Sequence, residues 1–299
     1  MVIDRFLKYV TFDTTSDEES GTCPSTEKQK KLARYLVEEL KAAGLTDAHM
    51  DENGYVYAHL AASAGREGDP ALALISHMDT SPAASGEGVN VRRVDYRGGD
   101  ITLESGVKIT PQDTPELPKL IGETLLVTDG TTLLGADDKA GVAEIVETVA
   151  RLAADPTLSH PNISVCFTPD EEIGRGADRI DLTEVNAAYG YTVDGGMLGE
   201  IEYENFNAAG VRILFHGVNI HPGSAKGVMK NACLMVRDYL TRLPADEDPA
   251  HTEGYEGFYH VTSLTGDETR AEVRMILRDH DFTRFEEKKT TVKRIADEV

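Results

Sequence analysis

Leu134-Gly135-Ala136-Asp137-Asp138-Lys139-Ala140-Gly141-Val142 is the stretch on which the reading of this chain turns. Two adjacent carboxylates follow a Gly-Ala step and lead into a segment whose apolar residues, Val142, Ile145, Val146, Val149 and Leu152, fall on one helical face. The pair therefore sits where a strand hands over to a helix N-terminus, the usual place for a ligand site in an open α/β sheet. Like charges packed this closely are costly unless a cation lies among them, and a divalent metal is the natural one. The alternative is local: Asp137 or Asp138 is simply the helix N-cap, a position that Asp favours. The stretch alone does not separate the two.

Its neighbours on either side carry more of the same pattern. Residues 71–76 are a continuous apolar run that suits a strand buried on both faces, and the run ends in His77-Met78-Asp79-Thr80. Residues 55–60 alternate as a half-buried strand. Further upstream, 2–11 and 27–43 are expected to be helices, the second opened by a Thr26/Gln29 capping box and stopped at Gly44. Residues 81–125, rich in Gly, Pro and Asp, are a long excursion of the kind that is functional or carries its own structure. A short strand at 125–128 leads to the Asp137 turn. Downstream, a buried strand at 163–167 ends in Thr168-Pro169-Asp170-Glu171-Glu172, and another at 188–193 ends in Asp194-Gly195-Gly196.

Alternating strands and helices predict an α/β fold, a central mostly parallel sheet with helices on both faces. Four strand ends then deliver His77/Asp79, Asp137/Asp138, Glu171/Glu172 and Asp194 to one edge, where they converge. A His among carboxylates points to zinc or a similar divalent ion, whereas calcium would take oxygen ligands only. His77 and Asp79, two apart on an extended segment, point the same way, so Asp79 is placed to hydrogen-bond the far ring nitrogen of His77. Direct ligation by both is the alternative. Glu171 and Glu172 cannot both face one atom from a regular strand, so one is expected as ligand and its neighbour as general base. Such a base takes a proton from water beside the metal and passes it to a leaving amine.

From about residue 206 the texture changes. A strand at 208–218, a helix at 226–243, paired strands at 257–265 and 270–278 and a helix at 281–299 give the order β-α-β-β-α. That is most of a ferredoxin-like α+β unit without its last strand. The expected domains are thus 1–205, bearing the metal ligands, and 206–299, an incomplete inserted lid.

The 30 basic against 52 acidic residues, a formal charge of −22, argue against nucleic acid and acidic membranes as partners. No apolar run is long enough to span a membrane and the N-terminus lacks the pattern of a signal peptide. Three scattered cysteines make no disulfide framework, which points to a reducing, cytoplasmic setting.

I-S-H-M-D-T at 75–80, L-L-G-A-D-D-K-A-G at 133–141, F-T-P-D-E-E-I-G at 167–174 and Y-T-V-D-G-G at 191–196 resemble the metal-binding motifs of the co-catalytic dizinc exopeptidases. Y-R-G-G-D-I at 96–101, N-I-H-P-G-S-A-K-G-V-M at 219–229 and T-E-G-Y-E-G-F-Y-H at 252–260 narrow the likeness to the tripeptide aminopeptidases of that family. The resemblance implies two zinc ions, with Asp137 bridging them and joined to Asp138 by a cis peptide. It implies His77 and Asp194 on one ion, Glu172 on the other, Glu171 as general base and Asp79 orienting His77. His221, in the lid, would hold the scissile carbonyl oxygen. Arg278 would bind the substrate carboxylate and Asn231 would make a polar substrate contact, with ordinary structural roles as the open alternative for both. Small peptides are the implied substrates and a homodimer the possible assembly.

One departure stands out. Members of the family take a last His ligand from beyond the lid, and no residue here matches that motif. The expectation is therefore a fragment of a longer enzyme, or else a natural short product with a weakened second zinc. Rival readings are a related metal-dependent dipeptidase or amidohydrolase, and a non-catalytic protein that binds metal and peptide.

Overall fold

The computed structural model describes residues Met1–Val299, in one unit over Met1–Leu198 and another over Gly199–Val299. The first unit begins with helices α1 (Val2–Tyr9) and α2 (Gln29–Ala42) and strands β1 (His49–Met50), β2 (Val56–Leu60) and β3 (Leu72–His77). The excursion holds β4 (Arg92–Asp95), β5 (Ile101–Thr102), β6 (Lys108–Ile109) and β7 (Thr124–Val127). Then come α3 (Ala136–Ala154), β8 (Ile163–Thr168), the short helix α4 (Leu182–Val185) and β9 (Tyr189–Thr192).

The main sheet runs β1-β2-β8-β3-β9. The apolar run ahead of His77 is β3, lying parallel to β8 on one side and β9 on the other, while β2 adds to β8 antiparallel. All six residues of β8 are buried, as an Ile-Ser-Val-Cys-Phe-Thr run covered on both faces should be. Helices α1, α2 and α3 cover one face: Tyr9, Leu32, Leu36, Val142, Val146 and Val149 pack with Val56, Val165 and Phe167. On the other face Tyr55, Tyr57, Ala73 and Cys166 pack beneath Val185 of α4.

Three expectations need correction. The strand before the Asp137 turn exists, but β7 pairs with β4 in a separate two-stranded sheet. The excursion has its own small core of Tyr96, Ile101, Leu103, Leu117 and Val127, and this core, not the main sheet, claims β7. Three main-sheet strand ends and the N-terminus of α3 therefore supply the acidic groups. The capping box at Thr26 does not form either. Gln29 turns its amide to Asp170 at 2.6 Å, and α2 starts at Gln29 with no side-chain cap.

In the second unit β10 (Asn207–His216), α5 (Ala232–Leu240), β11 (Phe258–Gly266), β12 (Arg270–Asp279) and α6 (Phe282–Glu298) follow in order. The antiparallel sheet is β10-β12-β11. Alternation along β12 puts Ala271, Val273, Met275 and Leu277 on the face that α5 and α6 cover through Val236, Tyr239, Phe285, Val292 and Ile295. The third correction is that α5 begins at Ala232 and not near 226. Lys230 pairs its backbone with Val218, and the Asn231 side chain caps the helix by accepting from Leu234 N at 3.3 Å. No helix is long and apolar enough to cross a membrane.

Candidate metal centre

β3 ends by burying His77, which is 2% exposed. Its Nε2 lies 2.9 Å from Asp137 Oδ1, 3.7 Å from Glu171 Oε2 and 3.8 Å from Asp194 Oδ2. Its Nδ1 faces Asp79, 3.1 Å from the backbone oxygen and 3.3 Å from Oδ1. The fully buried Asp79 carboxylate also accepts from Glu171 N at 2.9 Å and Glu172 N at 3.2 Å. One side chain thus fixes both the ring of His77 and the two glutamates.

The adjacent glutamates do not extend a strand. Asp170 adopts φ 58°, which ends β8 and starts a 3-10 turn over Glu171–Ile173. Asp and Asn tolerate this left-handed backbone better than other side chains. The turn, rather than strand alternation, decides where both carboxylates go, a feature the sequence argument missed. Donor atoms of His77, Asp137 and Glu172 come within 4.8 Å of one another, and so do those of His77, Asp138 and Asp194.

Asp137 and Asp138, joined by a cis peptide, have different surroundings. The Asp137 carboxylate is 67% exposed. Asp138 is buried, accepting from Ser76 Oγ, from His77 N at 3.2 Å and from Gly141 N at 3.2 Å. The sequence reading assigned Asp138 no role of its own. Its bonds tie the N-terminus of α3 to the end of β3.

The electrostatics show a cluster short of positive charge. Burial alone would lower the pKa of His77, but Asp79, Asp138 and Asp194 raise it to about 10. Burial, with Asp194 adding, pushes Asp138 up to about 7. Burial also raises Glu171, helped by Asp194, Asp79 and Asp137, and it raises Glu172 and Asp194, each helped by Asp137. One imidazole and several mutually repelling carboxylates at this spacing fit a divalent cation.

His221, Asn231 and Arg278 belong to the second unit. His221 is exposed at the head of the 3-10 turn Pro222–Ser224, its Nδ1 accepting from Gly223 N at 3.1 Å. Asn231 is the α5 cap described above. The exposed Arg278 guanidinium lies 4.2 Å over the Phe206 ring and 5.9 Å from that of Phe258.

A mixed α/β sheet that gathers an imidazole and several carboxylates at its strand ends and at the N-terminus of α3, followed by a separate α+β unit, has the architecture of a metal-dependent enzyme. Residues 203–299 match the Peptidase dimerisation domain family. The chain is 50% identical to Peptidase T of Parabacteroides distasonis over 300 residues, covering 100% of this chain and 74% of that protein. It is 51% identical to Peptidase T of Clostridium acetobutylicum, covering 96% of this chain and 71% of the relative. Among solved structures it resembles the aminopeptidase PepT of Bacillus cereus, with TM-score 0.69 and 21% identity over 99% of this chain and 70% of that one. A tripeptidase of Staphylococcus aureus gives TM-score 0.63 and 22% identity over 99% and 69%. The chain belongs to the peptidase T family.

Proposed function

We propose that this chain is a zinc-dependent aminopeptidase that releases the N-terminal residue of tripeptides. The observation that carries the reading is the Glu171/Glu172 turn, hung on Asp79 beside the buried His77 and the exposed Asp137 carboxylate. His77, Asp137, Glu172 and Asp194 would hold the metal. When bound, zinc supplies Lewis acidity toward the peptide carbonyl and water.

The chain's own residues do the rest. Glu171, raised above the ordinary carboxylate range chiefly by burial, takes a proton from the attacking water and passes it to the amide nitrogen as the C–N bond breaks. Asp79 holds the Glu171 amide and the His77 ring while this happens. His221 donates to the carbonyl oxygen as negative charge develops there. Arg278, whose guanidinium carbon lies 4.2 Å from the centre of the Phe206 ring, receives the substrate's terminal carboxylate. The Asn231 oxygen is taken by its helix cap, so its Nδ2 is the group that would meet substrate. Pairing of two copies through the dimerisation-domain segment, residues 203–299, is the assembly proposed. The free cysteines Cys23, Cys166 and Cys233 suit a reducing cytoplasm.

The test is Glu171→Ala, assayed with zinc content and with tripeptides, dipeptides and N-acyl amino acids. Tripeptide turnover should fall by about 10²–10⁴-fold while zinc stays bound. Unchanged turnover would remove Glu171 from the reaction. A preference of the unaltered protein for N-acyl amino acids would overturn the aminopeptidase reading.

A further inference from the structure

The turn that carries Glu171 and Glu172 is tied down at its back as well as at Asp79. Asp170, fully buried, needs donors, since a carboxylate out of water is expensive without them. They come from one short segment: Ser25 N at 2.7 Å, Ser25 Oγ at 2.6 Å and Gln29 Nε2 at 2.6 Å. Gln29 also bonds in the opposite sense, its Oε1 accepting from Asp170 N at 3.3 Å. At the far end of the turn, Arg175 N donates to Asp170 O at 2.9 Å and Arg175 Nη1 to Ser20 O at 2.6 Å. The loop is anchored in its turn, Ser16 N donating to Thr80 O at 3.1 Å, just beyond Asp79.

We propose that residues 16–29 form a brace for this turn, with Asp170, Gln29 and Ser25 as positioning residues that set where the Glu171 and Glu172 carboxylates stand. The inference rests on the base and ligand roles given to that pair above. The physical need is clear from the local backbone. Asp170 and Gly174 bracket the turn with φ 58° and 72°, so β8 gives it no ladder to follow. Reacting groups must be held within about 0.5 Å of productive geometry, which a free surface turn does not do. Ser25 and Gln29 act on the glutamates through Asp170. The Thr26 capping box forgone at the start of α2 is the local cost of turning Gln29 to this task.

Gln29→Leu puts an apolar side chain of similar size in place of the amide and removes its bonds to Asp170 along with the 3.3 Å contacts to Ser25 Oγ and Thr26 Oγ1; Asp170→Asn keeps an acceptor and tolerates the backbone. Both are compared with the unaltered full chain by amide hydrogen exchange. In Gln29→Leu the Glu171 and Glu172 amides should exchange at least about tenfold faster while those of Val165 and Phe167 in β8 keep their protection; Asp170→Asn should fall between. Exchange that is unchanged at the turn, or faster throughout β8 as well, overturns the brace. Zinc titration should show weaker binding by about 10–100-fold in Gln29→Leu. Faster turn exchange with unaltered zinc affinity upholds the brace and instead removes Glu172 as a ligand. With tripeptide, the brace predicts a fall in kcat with KM within about twofold. If the unaltered chain cleaves no tripeptide, the proposed activity fails while the exchange result still decides the brace.

Discussion

Asp79 is the residue on which most of the centre depends. It faces the His77 ring and both glutamate amides from a position with no solvent to replace it. Asp79→Ala should therefore cost about 1–3 kcal/mol for each buried donor left unpaired and weaken zinc binding by about 10–100-fold. Urea unfolding and metal titration check the two separately, and full zinc affinity in the variant would contradict the orienting role. The bond to His77 was legible from a two-residue spacing on a strand. The bonds to Glu171 and Glu172 were not, because they require the left-handed step at Asp170, which no periodicity announces. Protons report on the same groups. His77 is raised from 6.5 to about 10, and Asp138 from 3.8 to about 7, so the metal-free fold binds protons that the unfolded chain has released. The stabilising contribution of Asp138 is complete below about 4 and lost as pH rises to about 7, at no more than ~1.4 kcal/mol per pH unit. That of His77 is complete below 6.5 and lost toward about 10. Zinc must displace these protons, so its affinity should rise with pH. Calorimetry in buffers of different ionisation enthalpy should show proton release; none would contradict the crowded-carboxylate account.

At the scale of elements, the centre depends on how closely α3 meets the sheet. Gly141 is the contact point: a Cβ there would collide with Val193 O and Asp138 Oδ1 and stand 2.9 Å from Ser76 Oγ. Helix, β3 and the segment leading to Asp194 would all have to part. Gly141→Ala, harmless to helix propensity, should destabilise the fold by about 1–3 kcal/mol through overpacking and should also weaken zinc binding. Thermal unfolding and zinc titration of the variant check this. A neutral or stabilised variant would show that the helix can shift without cost. Elements with mostly apolar runs, β3 and β8, were readable in sequence because cover on both faces suppresses the polar alternation of a half-exposed strand. The partner of β7 was not, since a four-residue strand joins whichever small core lies nearest. The start of α5 was missed for a related reason: the backbone pairing of Lys230 with Val218 overrides a sequence otherwise suited to helix.

For the whole molecule, each unit owns a core. Residues of β10–β12, α5 and α6 bury Val236, Tyr239, Val273, Met275, Leu277 and Ile295 among themselves. A polypeptide of residues 199–299 should therefore fold alone and unfold cooperatively, as a domain with its own apolar centre does. Circular dichroism melting checks it, and a gradual, non-cooperative melt would mean the second unit borrows stability from the first. The sequence changes texture near 206, whereas the two units divide between Leu198 and Gly199. The boundary itself was less legible, because residues 199–206 alternate like a short strand at Ile201–Glu204 yet form neither helix nor strand.

The donors proposed for the centre are His77, Asp137, Glu172 and Asp194, and β9 closes beside β3 only after the intervening chain exists. On the ribosome this sets a timetable. A nascent chain adding about 5–20 residues per second exposes His77 with Asp79 first, then Asp137 and Asp138, then Glu171 and Glu172, and Asp194 after them. Until Asp194 has left the exit tunnel the donor set is incomplete, and earlier ion capture would engage only a weaker subset. Under the proposed assignment, loading waits on the pairing of β9 with β3.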